Sequence, residues 1–276
     1  MLNIFCIDLE DWYHQNLREH DIIHEPRVEK NTNRLLEILD NVKAKATFFC
    51  LGSIVEEYPS LIRKIHAAGH EIASHGYNHQ LVYSQNPDEF REDVHKSIVL
   101  IEDACGVRVK GYRAPSWSIT KESLWAIPIL EELGLYYDSS VFPINTFLYG
   151  IPDAPRFTGR FSINGVSSKL LEVPPSTFTF WGRTMGFSGG FYFRAIPRYF
   201  IRKFTSSLNV EGHEVVFYLH PREIDPDYPR IKMGIREKII LDWNISGCEK
   251  KLEFILKAFK FTSISDFYNK EFFFDS

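Results

Sequence analysis

Short apolar runs alternate with longer segments of helical periodicity along most of the chain. LNIFCID (2–8) is apolar with an acidic end and reads as a buried strand with a polar C-terminal tip. KNTNRLLEILDNVK (30–43) places Leu35, Ile38, Leu39 and Val42 on one helical face. ATFFCLG (46–52) is a second buried strand. PSLIRKIHAAGH (59–70) is an amphipathic helix with Pro59 near its start and Gly69 near its end. EIAS (71–74) is a third strand, and 87–104 a helix with Val94, Ile98 and Ile101 on one face. VKGYRAP predicts a strand ending in a loop, and KESLWAIPILEELG a helix interrupted by Pro128. LYYDSSVFP reads as strand then loop, and residues 142–170 as a Pro-, Gly-, Asn- and Ser-rich cover over one end of the domain. LLEVPPSTF is a strand cut short by Pro174 and Pro175, and HEVVFYLH (213–220) a strand ending in His. CEKKLEFILKAFK (248–260) is the last long helix, and FTSISDFY a final short strand.

This βαβα rhythm predicts a parallel sheet with helices packed outside it. Its polar residues cluster at the C-terminal tips of the strands: Asp8, His75, His79, Arg113, Asp138 and His220. In parallel α/β folds and barrels, active sites are built at that edge.

Composition narrows the class. The 276 residues are 44% hydrophobic and 25% charged, which excludes a disordered, collagenous or disulfide-stapled chain. The net charge of −4 leaves no basic footprint for nucleic acid and no strong pull toward anionic lipid. The 23 Phe and 13 Tyr fit a Phe-rich core, with a ligand-stacking wall as the alternative. Cys6, Cys50, Cys105 and Cys248 form no CxxC pair, so they are expected as free thiols in a reducing compartment. The N-terminus lacks the basic region of a signal peptide, and no run approaches 18 apolar residues. The expected location is therefore the cytoplasm, with docking at the inner membrane face left open.

The sharpest local signal is His75-Gly-Tyr-Asn-His79 at a strand end. Two imidazoles there can address one divalent transition metal, zinc first, with cobalt, nickel or iron as alternatives. A third ligand is available in Asp8-Leu9-Glu10-Asp11, and a 2-His-1-carboxylate set leaves positions open for water and substrate. His220 follows another strand as a candidate general acid. Arg113, in GYRAP, is a candidate partner for a carboxylate.

Together these motifs resemble the polysaccharide deacetylase superfamily (NodB homology, carbohydrate esterase family 4). IDLED resembles its first motif, SHGYNH its H(S/T)xxH motif, RAPSW its RxP motif, YDSSVFP its Asp-containing fourth motif and FYLHP its fifth. EVPPSTF, GFSGGFYFRAIP, LHPREIDPDYPR and FKFTSISDFY resemble a branch from bacterial exopolysaccharide and surface-polysaccharide loci. The resemblance implies an α/β fold, a deformed (β/α)7 barrel, over a single domain, 1–276, with 222–276 a C-terminal extension packed on the barrel.

It also implies metal-assisted removal of an N-acetyl group from a sugar. Glu10, His75 and His79 would hold the metal, Asp11 being the rival to Glu10. Asp8 would be the general base, kept ionised and oriented by Arg113. His220 would protonate the leaving amine, oriented by Asp138. The backbone N–H of Ser116 would meet the oxyanion, and Tyr218 would line the acetyl pocket. Trp117, Trp181, Phe191 and Tyr192 are candidates for sugar stacking, and Arg194 and Arg222 for a substrate phosphate. The sequence departs from the usual first motif, where Leu9 separates Asp8 from Glu10, and in the fourth, where Ser139 replaces a frequent aromatic. The expected substrate is a nucleotide- or lipid-linked N-acetylated sugar, or an oligosaccharide. The rival readings are a non-sugar amidohydrolase of the allantoinase or cyclic-imide type, and a non-catalytic carbohydrate-binding protein on the same barrel.

Overall fold

The computed structural model describes residues 1–14, 25–146, 149–163, 166–230 and 233–269. Strands β1 (Leu2–Leu9), β2 (Thr47–Cys50), β3 (Glu71–Ser74), β4 (Gly111–Tyr112) and β5 (Tyr137–Asp138) lie side by side in parallel. A hairpin of β6 (Gly159–Ile163) and β7 (Val166–Glu172) continues the sheet, β7 parallel to β5. A second hairpin, β8 (Thr177–Phe180) and β9 (Arg183–Gly186), stands apart from it. Strand β10 (Val216–Leu219) pairs with the free side of β1, and β11 (Lys260–Thr262) pairs with β1 end to end with β2. The curled sheet is a deformed (β/α)7 barrel. Its gap is spanned by Val173 N–H to Asp138 O (2.8 Å), Ser176 N–H to Val216 O (3.3 Å) and Tyr218 N–H to Ser188 O (3.1 Å).

The helices are α1 (Val28–Asn41), α2 (Gly52–Glu57), α3 (Pro59–Ala67), α4 (Pro87–Cys105), α5 (Ala126–Glu132), α6 (Gly190–Ala195), α7 (Arg198–Val210), α8 (Ile235–Asp242), α9 (Ile245–Ala258) and α10 (Ile264–Phe267). A capping box of Asn86 and Glu89 starts α4. Helix α5 is shorter than expected. Pro128 is its third residue, where a missing N–H removes no intrahelical bond. Residues 142–170 contribute a sheet hairpin as well as a cover. FTSISDFY divides between β11 and α10, with Ser263 Oγ accepting from Asp266 N–H (3.2 Å). Part of the predicted C-terminal extension is thus a strand of the central sheet.

Strand parity divides the core. Phe5, Ile7 and Leu9 of β1 belong to the cluster under the helices, with Phe48, Leu35, Leu39 and Phe217. Ile4 and Cys6 face the barrel interior with Phe49, Ala73, Tyr137, Val173 and Tyr218. The interior is filled rather than open. A Cβ at Gly111 would stand 1.9 Å from the Tyr137 ring, so glycine there makes room for that tyrosine.

Candidate active site

The interior-facing parity continues past the strand ends. Ile4 and Cys6 are followed by Asp8 and then Glu10, Ala73 by His75, and Tyr218 by His220. This periodicity carries Asp8 and His220, more than 200 positions apart, into one cavity of about 370 Å3. Asp8, Glu10, His75, His79, Ser116, Trp117, Tyr218, His220 and Glu223 are among its walls.

Glu10, His75 and His79 each offer a ligand atom, and the three atoms lie within 4.8 Å of one another in buried surroundings. Glu10 Oε2 is 2.8 Å from His79 Nε2, and Oε1 is 3.2 Å from His220 Nε2. Burial would raise the Glu10 pKa, but His79 and His220 outweigh it and hold the carboxylate ionised. Burial lowers the His75 pKa to about 4, which keeps the imidazole neutral as a ligand must be. His75 Nδ1 lies 2.7 Å from the Arg113 carbonyl, so it carries the proton and leaves the Nε2 lone pair for a metal. The left-handed backbone of Gly76 (φ 74°) and His79 (φ 57°) folds the motif into a turn rather than a helix. Two imidazoles and one buried carboxylate fit a divalent transition metal.

Asp11 is turned the other way. Its carboxylate accepts from the N–H groups of Trp12 (2.7 Å), Arg27 (2.7 Å) and Val28 (2.9 Å), and so anchors the start of α1. Alternation decides between the two acids: Glu10 shares the parity of Asp8, and Asp11 does not.

Beside the three-residue cluster, Arg113 Nη1 donates to Asp8 Oδ1 (2.6 Å), and both residues are buried. Arg113 Nη2 donates to Ser139 Oγ (2.8 Å), which donates on to Val173 O. Asp8 Oδ2 is 3.8 Å from His220 Nε2. Burial would lower the His220 pKa, but Glu10, Glu223 and Asp8 raise it above the ordinary value.

Asp138 does not reach His220. Its neighbour Tyr137 takes the interior parity, so Asp138 points to the helix side. There it accepts from Ser140 Oγ and lies in register with Glu172 of β7. Asp138 Oδ2 and Glu172 Oε2 are both buried with no other partner among the described residues, and one proton shared between them satisfies both. Burial raises both pKa values, that of Asp138 to about 6. The group on His220 is Glu223, whose Oε2 is 3.1 Å from Nδ1. Glu223 in turn accepts from Arg194 Nε (2.6 Å). Sequence reasoning passed over Glu223, although the spacing HPRE puts it one short turn beyond the histidine.

The remaining candidates divide. Ser116 lines the cavity with φ 51°, followed by Trp117 at φ 47°, two strained residues in succession at the site. Trp117 packs edge-on to Tyr218 (4.4 Å between centroids). Tyr149, Phe191 and Tyr192 complete an aromatic wall. A Cβ on Gly189 would meet the Tyr218 carbonyl at 2.4 Å, so glycine there lets the wall close up. Arg194 spends its guanidinium on Glu223, Trp243 O and Ile240 O, and Arg222 donates to Leu241 O. Both tie α8 and its flank to the barrel. Trp181 is absent from the cavity wall and stands 92% exposed at the tip of the β8–β9 hairpin.

Residues 21–137 match the polysaccharide deacetylase family profile, and residues 139–269 match a domain of unknown function, DUF3473. The chain is 32% identical over 159 residues to a peptidoglycan deacetylase of Helicobacter pylori, covering 52% of each protein. It is 33% identical over 96 residues to a peptidoglycan-N-acetylglucosamine deacetylase of Bacillus cereus, covering 34% of this chain and 35% of that protein. The chain thus spans between about a third and a half of these relatives. A provisionally assigned polysaccharide deacetylase of Mycobacterium smegmatis shares the fold, with a TM-score of 0.57 and 24% identity, over 87% of this chain and 76% of that one. Residues 21–137 are thus similar to the polysaccharide deacetylase (NodB homology, carbohydrate esterase family 4) superfamily, and the solved structure shares the fold.

Proposed function

We propose that this chain is a metal-dependent hydrolase that removes the N-acetyl group from an acetylated amino sugar. The observation that carries the reading is the convergence of Glu10, His75 and His79 with Asp8–Arg113 and His220–Glu223 in one cavity. Glu10, His75 and His79 would hold a divalent transition metal, zinc first. When bound, such an ion polarises a carbonyl and lowers the pKa of water from 15.7 toward about 7.

The rest is done by the chain's own groups. Asp8 accepts the proton of the attacking water through Oδ2, while Arg113 on Oδ1 fixes the carboxylate's orientation. His220, whose pKa its acidic neighbours raise, gives its Nε2 proton to the departing amine. Glu223 holds Nδ1 and so presents Nε2 to the cavity. Ser116 supplies the main-chain donor to the oxyanion, and Trp117 and Tyr218 seat the acetyl group. The strained backbone at Ser116 and the tight Trp117–Tyr218 contact support those two roles.

The downstream motifs and the HPREID segment support a substrate from bacterial surface-polysaccharide assembly, a nucleotide- or lipid-linked sugar or an oligosaccharide handled in the cytoplasm. We treat residues 1–276 as one catalytic unit, with 222–276 an extension that completes the wall around His220.

The deciding experiment pairs elemental analysis with acetate release from N-acetylglucosamine oligomers. Wild type, His75→Ala and His79→Ala are purified without added metal or a His-tag. About one transition metal per wild-type chain, lost in both variants together with acetate release, is the expected result. Full metal loading in both variants removes the proposed ligands. A loaded enzyme that releases no acetate from any acetylated amino sugar overturns the substrate class.

A further inference from the structure

Residues 173–210 contain Arg183, Arg194, Arg198, Arg202 and Lys203 and no carboxylate, within a chain whose net charge is −4. Arg194 is buried on Glu223. The other four are exposed, and none has a carboxylate partner among the described residues. The same segment carries an unusual share of exposed aromatic surface. Phe180 and Trp181 stack at the hairpin tip (5.1 Å between centroids), with Trp181 92% exposed, and Tyr199 on α7 is 67% exposed.

These groups form one surface. Phe178 of β8 stacks on Phe204 of α7 at 4.2 Å, and Phe200 lies one helical turn before Phe204, 6.2 Å from it. Phe180 follows Phe178 on the same face of β8 and opposes Arg183 in the hairpin register. The buried side of α7 is Ile201, Thr205 and Leu208, so Tyr199, Arg202 and Lys203 are left outside. Exposed apolar tips beside cations without carboxylate partners among the described residues have a specific physical match. Aromatic rings favour the headgroup boundary of a bilayer, and cations favour its anionic lipids.

We propose that the β8–β9 hairpin and the outer face of α7 dock this chain onto an anionic lipid surface, with Trp181 and Phe180 inserted at headgroup depth. The chain needs no spanning element for this, and among the described residues no helix is long and apolar enough to cross a membrane. Three residues separate the end of strand β9 from Gly190, Phe191 and Tyr192, which line the catalytic cavity. Docking therefore fixes the cavity mouth relative to the lipid surface. An acidic polysaccharide, on whose sugars the same rings could stack, is the competing occupant, and the polygalacturonate arm of the test distinguishes it.

The test is co-sedimentation of the full chain with vesicles of phosphatidylcholine alone or with one third phosphatidylglycerol, at about 50 and about 500 mM salt. Wild type is expected to sediment with the anionic vesicles at low salt and to be released at high salt. Phe180→Ser with Trp181→Ser, and separately Arg183→Gln with Arg202→Gln and Lys203→Gln, are expected to weaken binding by at least about tenfold. Circular dichroism and acetate release report that the variants are folded. None of these residues lines the cavity, so neither signal is expected to change. Wild type that ignores anionic vesicles at low salt overturns the proposal. So does equal binding by the variants, or retention by soluble polygalacturonate with no vesicle binding.

Discussion

Glu223 Oε2 stands 3.1 Å from His220 Nδ1, while Glu223 Oε1 holds Arg194 Nε at 2.6 Å. One carboxylate thus orients the candidate acid and neutralises a buried guanidinium. Burial would raise the Glu223 pKa, but Arg194 and His220 keep it ionised.

The two tasks separate on mutation. Glu223→Gln keeps a hydrogen-bonding group on His220 but removes its charge. Acetate release is expected to fall about 10–100-fold, and the alkaline limb of the pH–rate profile to move to lower pH as His220 gives up its proton more readily. Glu223→Ala also strands Arg194, 1% exposed, and is expected to cost about 3–5 kcal/mol of stability. Urea unfolding and kcat against pH distinguish the cases. An unchanged pH profile in Glu223→Gln would show that the contact is structural only.

Asp8→Asn tests the base. It preserves shape and leaves Arg113 with a neutral acceptor. The expected loss in kcat is about 10²–10⁴-fold. Metal content is expected to stay near one per chain, because Asp8 is separate from the Glu10, His75 and His79 cluster. Loss of the metal along with the activity would make Asp8 a ligand rather than a base.

Asp138 and Glu172 predict a pH dependence of stability. Both pKa values are raised by burial, so the folded state binds more protons than the unfolded one. Their contribution is fully present below the unfolded carboxylate range, about pH 4, and is lost as pH rises through the folded values. Glu172→Gln keeps a donor toward Asp138 and cannot ionise. Its stability relative to wild type is expected to improve by at least about 1.4 kcal/mol from pH 5 to pH 8, read by urea denaturation. A difference that stays flat with pH would mean that the pair holds no extra proton.

Much of this molecule was legible in local pattern. EIAS is β3 to the residue, and α3 begins at Pro59 as its proline implied. Both follow from short-range physics: strand periodicity, and the orphan N–H groups of a first helical turn. Only the end of β7 was legible, in LLEVPPSTF; β6, β8 and β9 were not, because they lie among Gly, Pro and Ser without a clear apolar alternation, and β7 takes its place in the sheet from β5, more than 30 residues away.

The chemistry divides the same way. Asp8, Glu10, His75, His79, Arg113 and His220 announce themselves at strand ends, since the polar tip of an apolar strand is visible in one dimension. What the sequence by itself determined was the set of chemical groups. Which of them face one another was decided only by tertiary structure. Asp138 and Glu223 show why: a single step of strand parity sends Asp138 behind the sheet, and a short turn after Pro221 brings Glu223 to His220. Parity at a two-residue strand depends on the neighbours it pairs with, and those lie tens of residues away in the chain.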